Sequence, residues 1–487
     1  RHGGVRQVMD RYAQNCKACS SGTSRTVLIC GGKPDEKGLD YDVVVEVPQL
    51  DYMDFSSLQE FDEVKSGIQN ALASVILSDE TVHPVAVLFH NSSLGKNIAA
   101  SAAFARIARQ SGSDKIRFFP VLHDFAEEGR TAMISQIHAA CSWGWPIYGD
   151  LYFAEAPVIF VVPGIQAFNH LKALDFPVRL LPNPIRTGET FLDMDMLLNQ
   201  RSMLAGGDKR YDSSRPLWYY PSRIIRRKNI LEAVLLSMIM ETVLILGPQG
   251  TSRIDLPLNT MLSELVQKFN LNVLINPAKN RCASDPVAAQ YAICDYAVST
   301  SVAEGFGFGL YESAFYNRPL LGRYPGGFIY PCAVSTGNLY GMVPVPAAFV
   351  DKEELIKNYY EKFGPSDAVH QKMVRLRDAE CIDFADLDLT MQKSLIERFL
   401  GDSMCRKEWL KVLETRYLQW PGTSMLCCNA RKVFDQNRLI LQEYFSLQND
   451  LSRFFDTFSK IPAKISVRSD FSRLSELFLP DRMNLLL

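Results

Sequence analysis

Short, continuous apolar runs recur along the chain, and they limit its fold more than any other feature. The first set lies at 26–30, 42–47, 84–89, 116–122, 157–162 and 178–181, and the second at 218–225, 242–246, 271–275, 295–299 and 319–321. Continuous rather than alternating apolar runs are typical of parallel strands that are covered on both faces. Helical periodicity fills gaps between them, at 61–77, 97–110, 258–269 and 286–294. Two successive βαβ series predict an α/β chain with two doubly wound, Rossmann-like domains facing each other across a cleft.

A polar stretch separates the two series and sets the expected domain boundaries. At roughly 150 residues per domain, the 487 residues leave room for two large domains and an extension. We expect an N-terminal domain at 1–185, a linker region at 186–215, a second domain at 216–380 and a helical tail at 381–487. Within the tail, helical patterns occur at 392–399, 431–445 and 448–458, and no strand pattern is visible.

Composition and charge exclude several classes of protein. Lys and Arg number 52 against 54 Asp and Glu, so the net charge of −2 lacks the basic excess of a nucleic-acid-binding protein. The longest apolar stretch, 231–247, contains two glutamates and is shorter than a transmembrane segment needs to be, so we expect none. The 11 cysteines are scattered without a disulfide or zinc framework, which favours reduced thiols in a cytoplasmic protein.

The segment 299–323, STSVAEGFGFGLYESAFYNRPLLGR, carries the most chemical information, with Glu304 and Glu312 eight positions apart. The turn between them consists of Gly305, Phe306, Gly307, Phe308 and Gly309. Between a strand and a helix, such a turn lets a ligand approach the backbone and reach the N–H groups of the helix N-terminus. Carboxylates at both ends can accept hydrogen bonds from the vicinal hydroxyls of sugars and riboses, so the segment predicts a nucleotide-sugar site. A glycine turn followed by a dipole-favoured glutamate explains the same pattern without a ligand.

This segment resembles the Glu-x7-Glu signature of retaining glycosyltransferases of the GT-B fold, of the family 4 type, a group that includes sucrose synthases, glycogen synthases and bacterial lipopolysaccharide and mannosyl transferases. A second segment, 222–229, resembles the Gly-Arg-Leu-x3-Lys-Gly motif of the same group. Arg223 and Lys228 fall on its two basic positions, which in the family neutralise the donor diphosphate. Ser222 and Asn229 replace its glycines, and the neighbouring Arg226 and Arg227 are expected on a solvated basic face or at a helix start.

Three further segments resemble segments of the family and follow each other along the chain in the family's order. Gly3 and Gly4 resemble the glycine loop whose backbone faces the diphosphate, so we expect the family's first strand upstream of Arg1. His123, after the run 116–122, occupies the place of a histidine that lines the donor-sugar pocket, where it would hydrogen-bond a hydroxyl. The segment 180–185 resembles Ile-Pro-Asn-Gly-Val, with Pro184 in place of the glycine.

The segment 90–97 follows a strand and opens an alanine-rich helix, a position where an anion can bind. Its polar residues, together with the residue after His123, form the predicted acceptor-binding group: His90, Asn91, Lys96, Asn97 and Asp124. Lys96 and the amides suit a carboxylate or phosphate on an acceptor, and a plain helix cap explains them equally well. Gly95-Lys96 is followed by Asn97 rather than Ser or Thr, which excludes a P-loop.

The resemblance implies transfer of a sugar from a nucleoside diphosphate sugar to an acceptor hydroxyl with retention at the anomeric carbon. Glu304 would hold the hydroxyls of the donor sugar and Glu312 the ribose diol, with Gly305, Phe306 and Gly307 lining the donor site. No metal or other cofactor is expected, and part of the tail should return to the first domain. A small soluble acceptor is favoured over a lipid, which Arg106 and Arg109 on the helix after Lys96 keep open as an alternative. A sugar phosphorylase on the same fold and a catalytically silent sugar-nucleotide-binding protein stay open as alternatives, and the sequence does not indicate an oligomeric state.

Overall fold

The computed structural model describes residues 4–19, 24–32, 41–77, 84–111, 115–128, 130–153, 158–184, 211–212, 214–250, 255–277, 286–304, 306–316, 318–325, 337–364 and 367–416. These residues belong to two compact units, a first unit at 4–184 and a second unit at 211–416. Most of the predicted linker, and the predicted helices at 431–445 and 448–458, lie outside the described residues.

The first unit contains two parallel sheets. Its first two strands, β1 (Val27–Cys30) and β2 (Val43–Glu46), pair with each other. The next four pair in chain order: β3 (Val85–His90), β4 (Ile116–Val121), β5 (Phe160–Val162) and β6 (Val178–Leu180). The sequence predicts a single series, whereas in the described residues β1 and β2 form a sheet of their own. Strand β2 alternates between partly buried and exposed residues, whereas β4 is buried along its whole length.

The described residues of the first unit contain six α-helices. They are α1 (Gly4–Cys19), α2 (Leu58–Ile76), α3 (Ile98–Gln110), α4 (Thr131–Ser142), α5 (Ile147–Leu151) and α6 (Ile165–Ala173). Helix α2 begins where the Ser57 side chain accepts a hydrogen bond from the Glu60 N–H, and it buries Phe61, Ile68 and Leu72 on one face. Most of α3 is buried because its alanines allow close packing, and both helices share one core with the sheet.

The second unit is built on one parallel sheet of six strands. In chain order these are β7 (Leu217–Tyr220), β8 (Val243–Leu246), β9 (Val273–Ile275), β10 (Tyr296–Ser299), β11 (Leu320–Arg323) and β12 (Gly337–Tyr340). Their spatial order is β12-β11-β10-β7-β8-β9, so the chain builds outward from β7 in one direction and from β10 in the other. This is the doubly wound order, whose ligand site lies at the carboxyl ends of the two strands where the direction reverses.

The remaining elements of the second unit lie around and after this sheet. The helices are α7 (Ile230–Ile239), α8 (Leu256–Lys268), α9 (Pro286–Ile293), α10 (Phe308–Phe315), α11 (Lys352–Phe363), α12 (Asp367–Asp378), α13 (Leu389–Gly401) and α14 (Ser403–Arg416). Strands β13 (Pro344–Pro346) and β14 (Cys381–Asp383) pair antiparallel, so strand structure extends slightly beyond the predicted limit at 380. Neither strand gives a recognisable apolar run, because β13 begins and ends with proline and β14 ends with Asp383. In the described part of the chain, every helix is too short or too polar to cross a lipid bilayer.

Candidate functional site

Two loops meet where the chain direction reverses in the second sheet. Strands β7 and β10 are neighbours, and the loops that leave their carboxyl ends are hydrogen-bonded to each other. The Val302 N–H donates to the Arg227 carbonyl over 3.0 Å, and the Ser301 hydroxyl donates to the same oxygen over 3.3 Å. Residues distant in sequence are thereby brought together at the edge where doubly wound sheets bind ligands.

Lys228 and Glu304 form an ion pair at this junction. The Lys228 Nζ donates to Glu304 Oε1, and the two side chains are only 11% and 9% exposed. Arg227 is a second cation beside the pair: its Nη1 lies 4.0 Å from Glu304 Oε2 and donates to the Ala303 carbonyl over 3.3 Å. Burial alone would raise the pKa of Glu304, but Lys228 and Arg227 together bring it below its usual value. The carboxylate is therefore ionised at neutral pH.

The backbone of Lys228 is held by two buried hydroxyls. Tyr220 at the end of β7 donates to the Lys228 carbonyl over 2.7 Å. Thr300, just after β10, donates to the same carbonyl over 3.0 Å and to the Asn229 carbonyl over 2.9 Å. Both neighbouring strands thus fix the position of the lysine.

Asn229 lies at a position where the motif has glycine, and its backbone conformation explains why asparagine can replace it. Its φ of 50° lies in the left-handed region, which asparagine tolerates better than most residues. Its Nδ2 donates to Glu232 Oε2 over 2.7 Å, and its Oδ1 accepts from Gln392 Nε2 over 3.0 Å. The side chain therefore links the residue after Lys228 to two buried groups that a glycine could not reach.

A buried ionic network lies behind this link. Arg323 at the end of β11 donates to Glu232 over 2.5 and 3.1 Å and to Asp383 over 2.7 and 2.8 Å. Burial alone would lower the pKa of Arg323, but Glu232 and Asp383 raise it well above its usual value. The Tyr340 hydroxyl also donates to Glu232, over 2.8 Å. The guanidinium thus compensates two carboxylates inside the unit.

The Glu-x7-Glu segment continues into α10. Gly305 lies outside the described residues, and Gly307 has a φ of 84°, which requires glycine at the start of the helix. The centroid of the Phe306 ring lies 4.9 Å from that of Phe308 and 5.0 Å from that of Tyr311. Glu312 is half-buried and lies near the tyrosines Tyr219 and Tyr291. The pKa of both tyrosines is raised, mainly by their own burial and secondly by the negative charge of Glu312.

Arg223 is placed differently from Lys228. It is exposed on the loop after β7 and forms no hydrogen bond or ion pair with the described residues. Arg227 lies in the short helical turn Arg226–Lys228 before α7, which agrees with the expected helix start. It does not lie on a solvated face, because it contacts the loop that carries Glu304. Sequence reasoning missed Arg227 because the family motif names only two basic positions. Its place directly beside Lys228 was the one available signal.

In the first unit, His90 at the end of β3 and His123 after β4 are in contact. His90 Nδ1 lies 2.9 Å from His123 Nε2, and the two nearly parallel rings meet end to end with their centroids 5.2 Å apart. Burial lowers the pKa of His123 to about 4, and burial together with His123 lowers that of His90 well below its usual value. Both imidazoles are therefore neutral at pH 7.

Asn91 and Asp124 complete this cluster. Asn91 has a φ of 59°, and its Oδ1 accepts from the N–H groups of His123 over 2.9 Å and Asp124 over 3.3 Å. Asp124 forms an ion pair of 2.9 Å with Arg130. Three of the five residues of the predicted acceptor-binding group, His90, Asn91 and Asp124, therefore lie around His123.

Lys96 and Asn97 serve a different part of the first unit. Lys96 Nζ donates to the Tyr52 hydroxyl over 3.2 Å and lies 4.3 Å from that ring. Asn97 caps α3 by accepting from the Ala100 N–H, and its Nδ2 donates to the carbonyls of residues 49 and 51. The fold alone accounts for Asn97. Gly4 is the first residue of α1, and Gly3 lies outside the described residues.

Comparison with known proteins identifies one sequence relative. No protein-family model matches the chain. Over 339 residues the chain is 26% identical to the mannosylglucosyl-3-phosphoglycerate synthase of Petrotoga mobilis, and the match covers 66% of this chain and 62% of that protein. The match thus spans about three-fifths of the length of the relative.

Solved structures give the fold. Sucrose-phosphate synthase from Thermosynechococcus elongatus matches with a TM-score of 0.54 and 14% identity, covering 92% of each chain. HepE from Anabaena, in complex with UDP and glucose, matches with a TM-score of 0.46 and 14% identity, covering 70% of this chain and 83% of that one. The first likeness shows the fold, and the predicted α/β architecture of the GT-B class is confirmed.

Proposed function

We propose that the protein is a glycosyltransferase that moves a sugar from a nucleoside diphosphate sugar to an acceptor hydroxyl with retention at the anomeric carbon. The observation that carries this function is the buried Lys228–Glu304 pair, which joins the two motif segments at the reversal point of the second sheet. The name of the sequence relative, a synthase of a mannosylglucosyl compound, supports the same class of reaction.

The charges at this junction suit a departing diphosphate. As the glycosidic bond breaks, negative charge grows on the leaving phosphate oxygen, and Lys228 with Arg227 or Arg223 would stabilise it. Glu304 is ionised and accepts hydrogen bonds, so it would hold hydroxyls of the donor sugar, and Glu312 would hold the ribose diol. Gly305, Phe306 and Gly307 would line the donor site, and Gly3 and Gly4 would face the diphosphate.

The chemical step needs no metal or other cofactor in this scheme. The acceptor oxygen forms its bond to the anomeric carbon on the face from which the diphosphate departs, and the departing phosphate oxygen takes the acceptor proton. His123 would hydrogen-bond a sugar hydroxyl. Retention follows because attack and departure occur on the same face.

We further propose a small soluble acceptor that carries an anionic group, in keeping with the 3-phosphoglycerate in the name of the relative. His90, Asn91, Lys96, Asn97 and Asp124 remain its predicted binding group. Lys96 is the cation of that group and stands just before α3, where the helix dipole also favours an anion. The scattered cysteines favour the cytoplasm as the location.

The test is turnover with a panel of nucleoside diphosphate sugars and of sugars, sugar acids and their phosphates as acceptors. We expect release of nucleoside diphosphate and a product with the anomeric configuration of the donor, read by NMR. Lys228→Met and Glu304→Gln should each lower kcat by at least roughly 100-fold. Lys268→Met and Glu397→Gln are matched controls, because they break a more exposed ion pair of 3.0 Å in the same unit.

Each alternative gives a different result. Near-normal turnover in both Lys228→Met and Glu304→Gln would overturn the assignment of the site. Sugar transfer that depends on inorganic phosphate and not on a nucleotide sugar would identify a phosphorylase. Tight binding of a nucleotide sugar without turnover against the whole panel would identify a silent binding protein.

A further inference from the structure

We propose that His90 is a positioning residue whose hydrogen bond couples the tautomer of His123 to its own, so that the His90 ring decides which hydrogen-bonding group His123 presents to a sugar hydroxyl. This inference rests on the proposed function, because it assigns His123 a hydroxyl as ligand. It concerns a residue that the sequence placed only in the acceptor-binding group.

The geometry of the two rings carries the inference. His90 Nδ1 and His123 Nε2 are 2.9 Å apart, and the ring planes differ by only 9°. Among the described residues, no other hydrogen bond reaches either ring. His123 Nδ1 and His90 Nε2 are therefore the nitrogens that remain for a ligand.

The hydrogen bond between the two rings couples their tautomers. A neutral imidazole has one N–H and one bare nitrogen, so one of the two facing nitrogens must carry the hydrogen and the other must accept it. If His90 Nδ1 donates, His123 must carry its proton on Nδ1 and offers a donor to the ligand. If His123 Nε2 donates, its Nδ1 is bare and offers an acceptor. The state of His90 thus sets the hydrogen-bonding character of His123.

Both rings meet the conditions for this coupling. Burial keeps the pKa of His123 at about 4 and that of His90 well below its usual value, so both are neutral at pH 7. The strands that carry them are paired side by side, with His90 opposite Val121, and Asn91 holds the backbone of His123. The Tyr12 ring lies 6.1 Å from the His90 ring. The pair is held by the strands and by Asn91 and does not depend on a bound ligand.

Three substitutions at one position separate hydrogen bonding from packing. In His90→Asn the amide falls near the position of Nδ1 and can still bond His123, whereas in His90→Gln it falls near Nε2. His90→Phe keeps a ring beside Tyr12 and removes both nitrogens. We expect kcat to fall by about 10-fold in the Phe and Gln variants, the lower end of the range known for hydrogen-bond partners of metal-binding histidines. KM for the donor should change little, and the Asn variant should recover most of the rate.

The tautomer itself is read by NMR on protein labelled with ¹⁵N-histidine. The signals of His123 are identified by their loss in His123→Phe, and His138→Phe, at an exposed position on α4, serves as the control. We expect the tautomer populations of His123 to differ between the wild type and His90→Phe, and those of His90→Asn, which keeps a hydrogen-bonding partner, to lie closer to the wild type. An unchanged His123 spectrum in His90→Phe would overturn the inference, as would equal activity of the Asn and Phe variants. If the wild-type protein transfers no sugar, the proposed function fails, while the spectrum still reports whether His90 sets the tautomer.

Discussion

At the scale of the residue, Asn229 shows how one side chain can do two structural tasks. Its backbone takes the left-handed turn between the short helical turn Arg226–Lys228 and α7, and its amide bonds Glu232 and Gln392. Glycine would meet the first requirement and alanine would meet neither. Asn229 therefore replaces the glycine of the motif without loss of the turn, and it adds two buried hydrogen bonds.

This division predicts the effect of two substitutions. Asn229→Ala should lower the free energy of unfolding of the second unit by roughly 3 kcal/mol, because it combines a strained φ with the loss of buried hydrogen bonds. Asn229→Gly should cost about 1 kcal/mol less, because glycine relieves the strain. Urea unfolding measures both.

Asn270 is the matched control. It has a φ of 48° and lies two residues after the end of α8, but it is exposed. Asn270→Gly should be close to neutral and Asn270→Ala should lose only the strain contribution of about 1 kcal/mol. Equal losses at positions 229 and 270 would contradict a structural role for the buried amide.

At the scale of the element, β11 ends in an arginine although the whole strand is buried. The side chain of Arg323 is 1% exposed, and those of its partners Glu232 and Asp383 are 0% and 7% exposed. It connects the central sheet to α7 and to β14, which lie far from it in sequence. The packing of these three elements therefore depends on one cation.

Arg323→Met should destabilise the second unit by about 3–5 kcal/mol, because it leaves two buried carboxylates without their cation. Adding Glu232→Gln to that variant should recover part of the loss, since one uncompensated charge is removed. Lys268→Met, at a more exposed ion pair, should cost less than about 1 kcal/mol. A loss in Arg323→Met no larger than in Lys268→Met, measured by urea unfolding, would show that the network does not stabilise the unit.

At the scale of the whole molecule, the described chain consists of two α/β units, each with its own hydrophobic core. The candidate donor-binding charges, Lys228 and Glu304, lie on the second unit, and the histidine pair lies on the first. Binding of a nucleotide sugar at the junction of β7 and β10 should therefore depend on Lys228.

A thermal-shift experiment on the full chain tests this dependence. At a ligand concentration about 100 times Kd, mass action stabilises the native state by about 2.7 kcal/mol, so a matching nucleoside diphosphate sugar should raise Tm. The free sugar, which lacks the diphosphate, should have little effect. In Lys228→Met the shift should largely disappear, while Lys268→Met should keep it. An equal shift in the two lysine variants would place the ligand elsewhere.

The local pattern predicts the elements well and their partners poorly. The predicted strand at 116–122 and the helix at 258–269 agree with β4 and α8 to within two residues. Strands β1 and β2, by contrast, read like members of a single series and form a separate sheet in the described residues. Periodicity reports how a segment is buried, and it does not report which segment buries it.

The sequence by itself determined the α/β class, the order of the strands from β1 to β11, and the two motif segments that contain Lys228 and Glu304. Only the tertiary structure decided that Arg227 rather than Arg223 stands beside Glu304, and that His90 contacts His123. The physical reason is distance along the chain. Lys228 and Glu304 are 76 positions apart, His90 and His123 are 33 apart, and Arg323 and Glu232 are 91 apart. Local propensity acts over a few residues, whereas strand order and side-chain packing select such pairs.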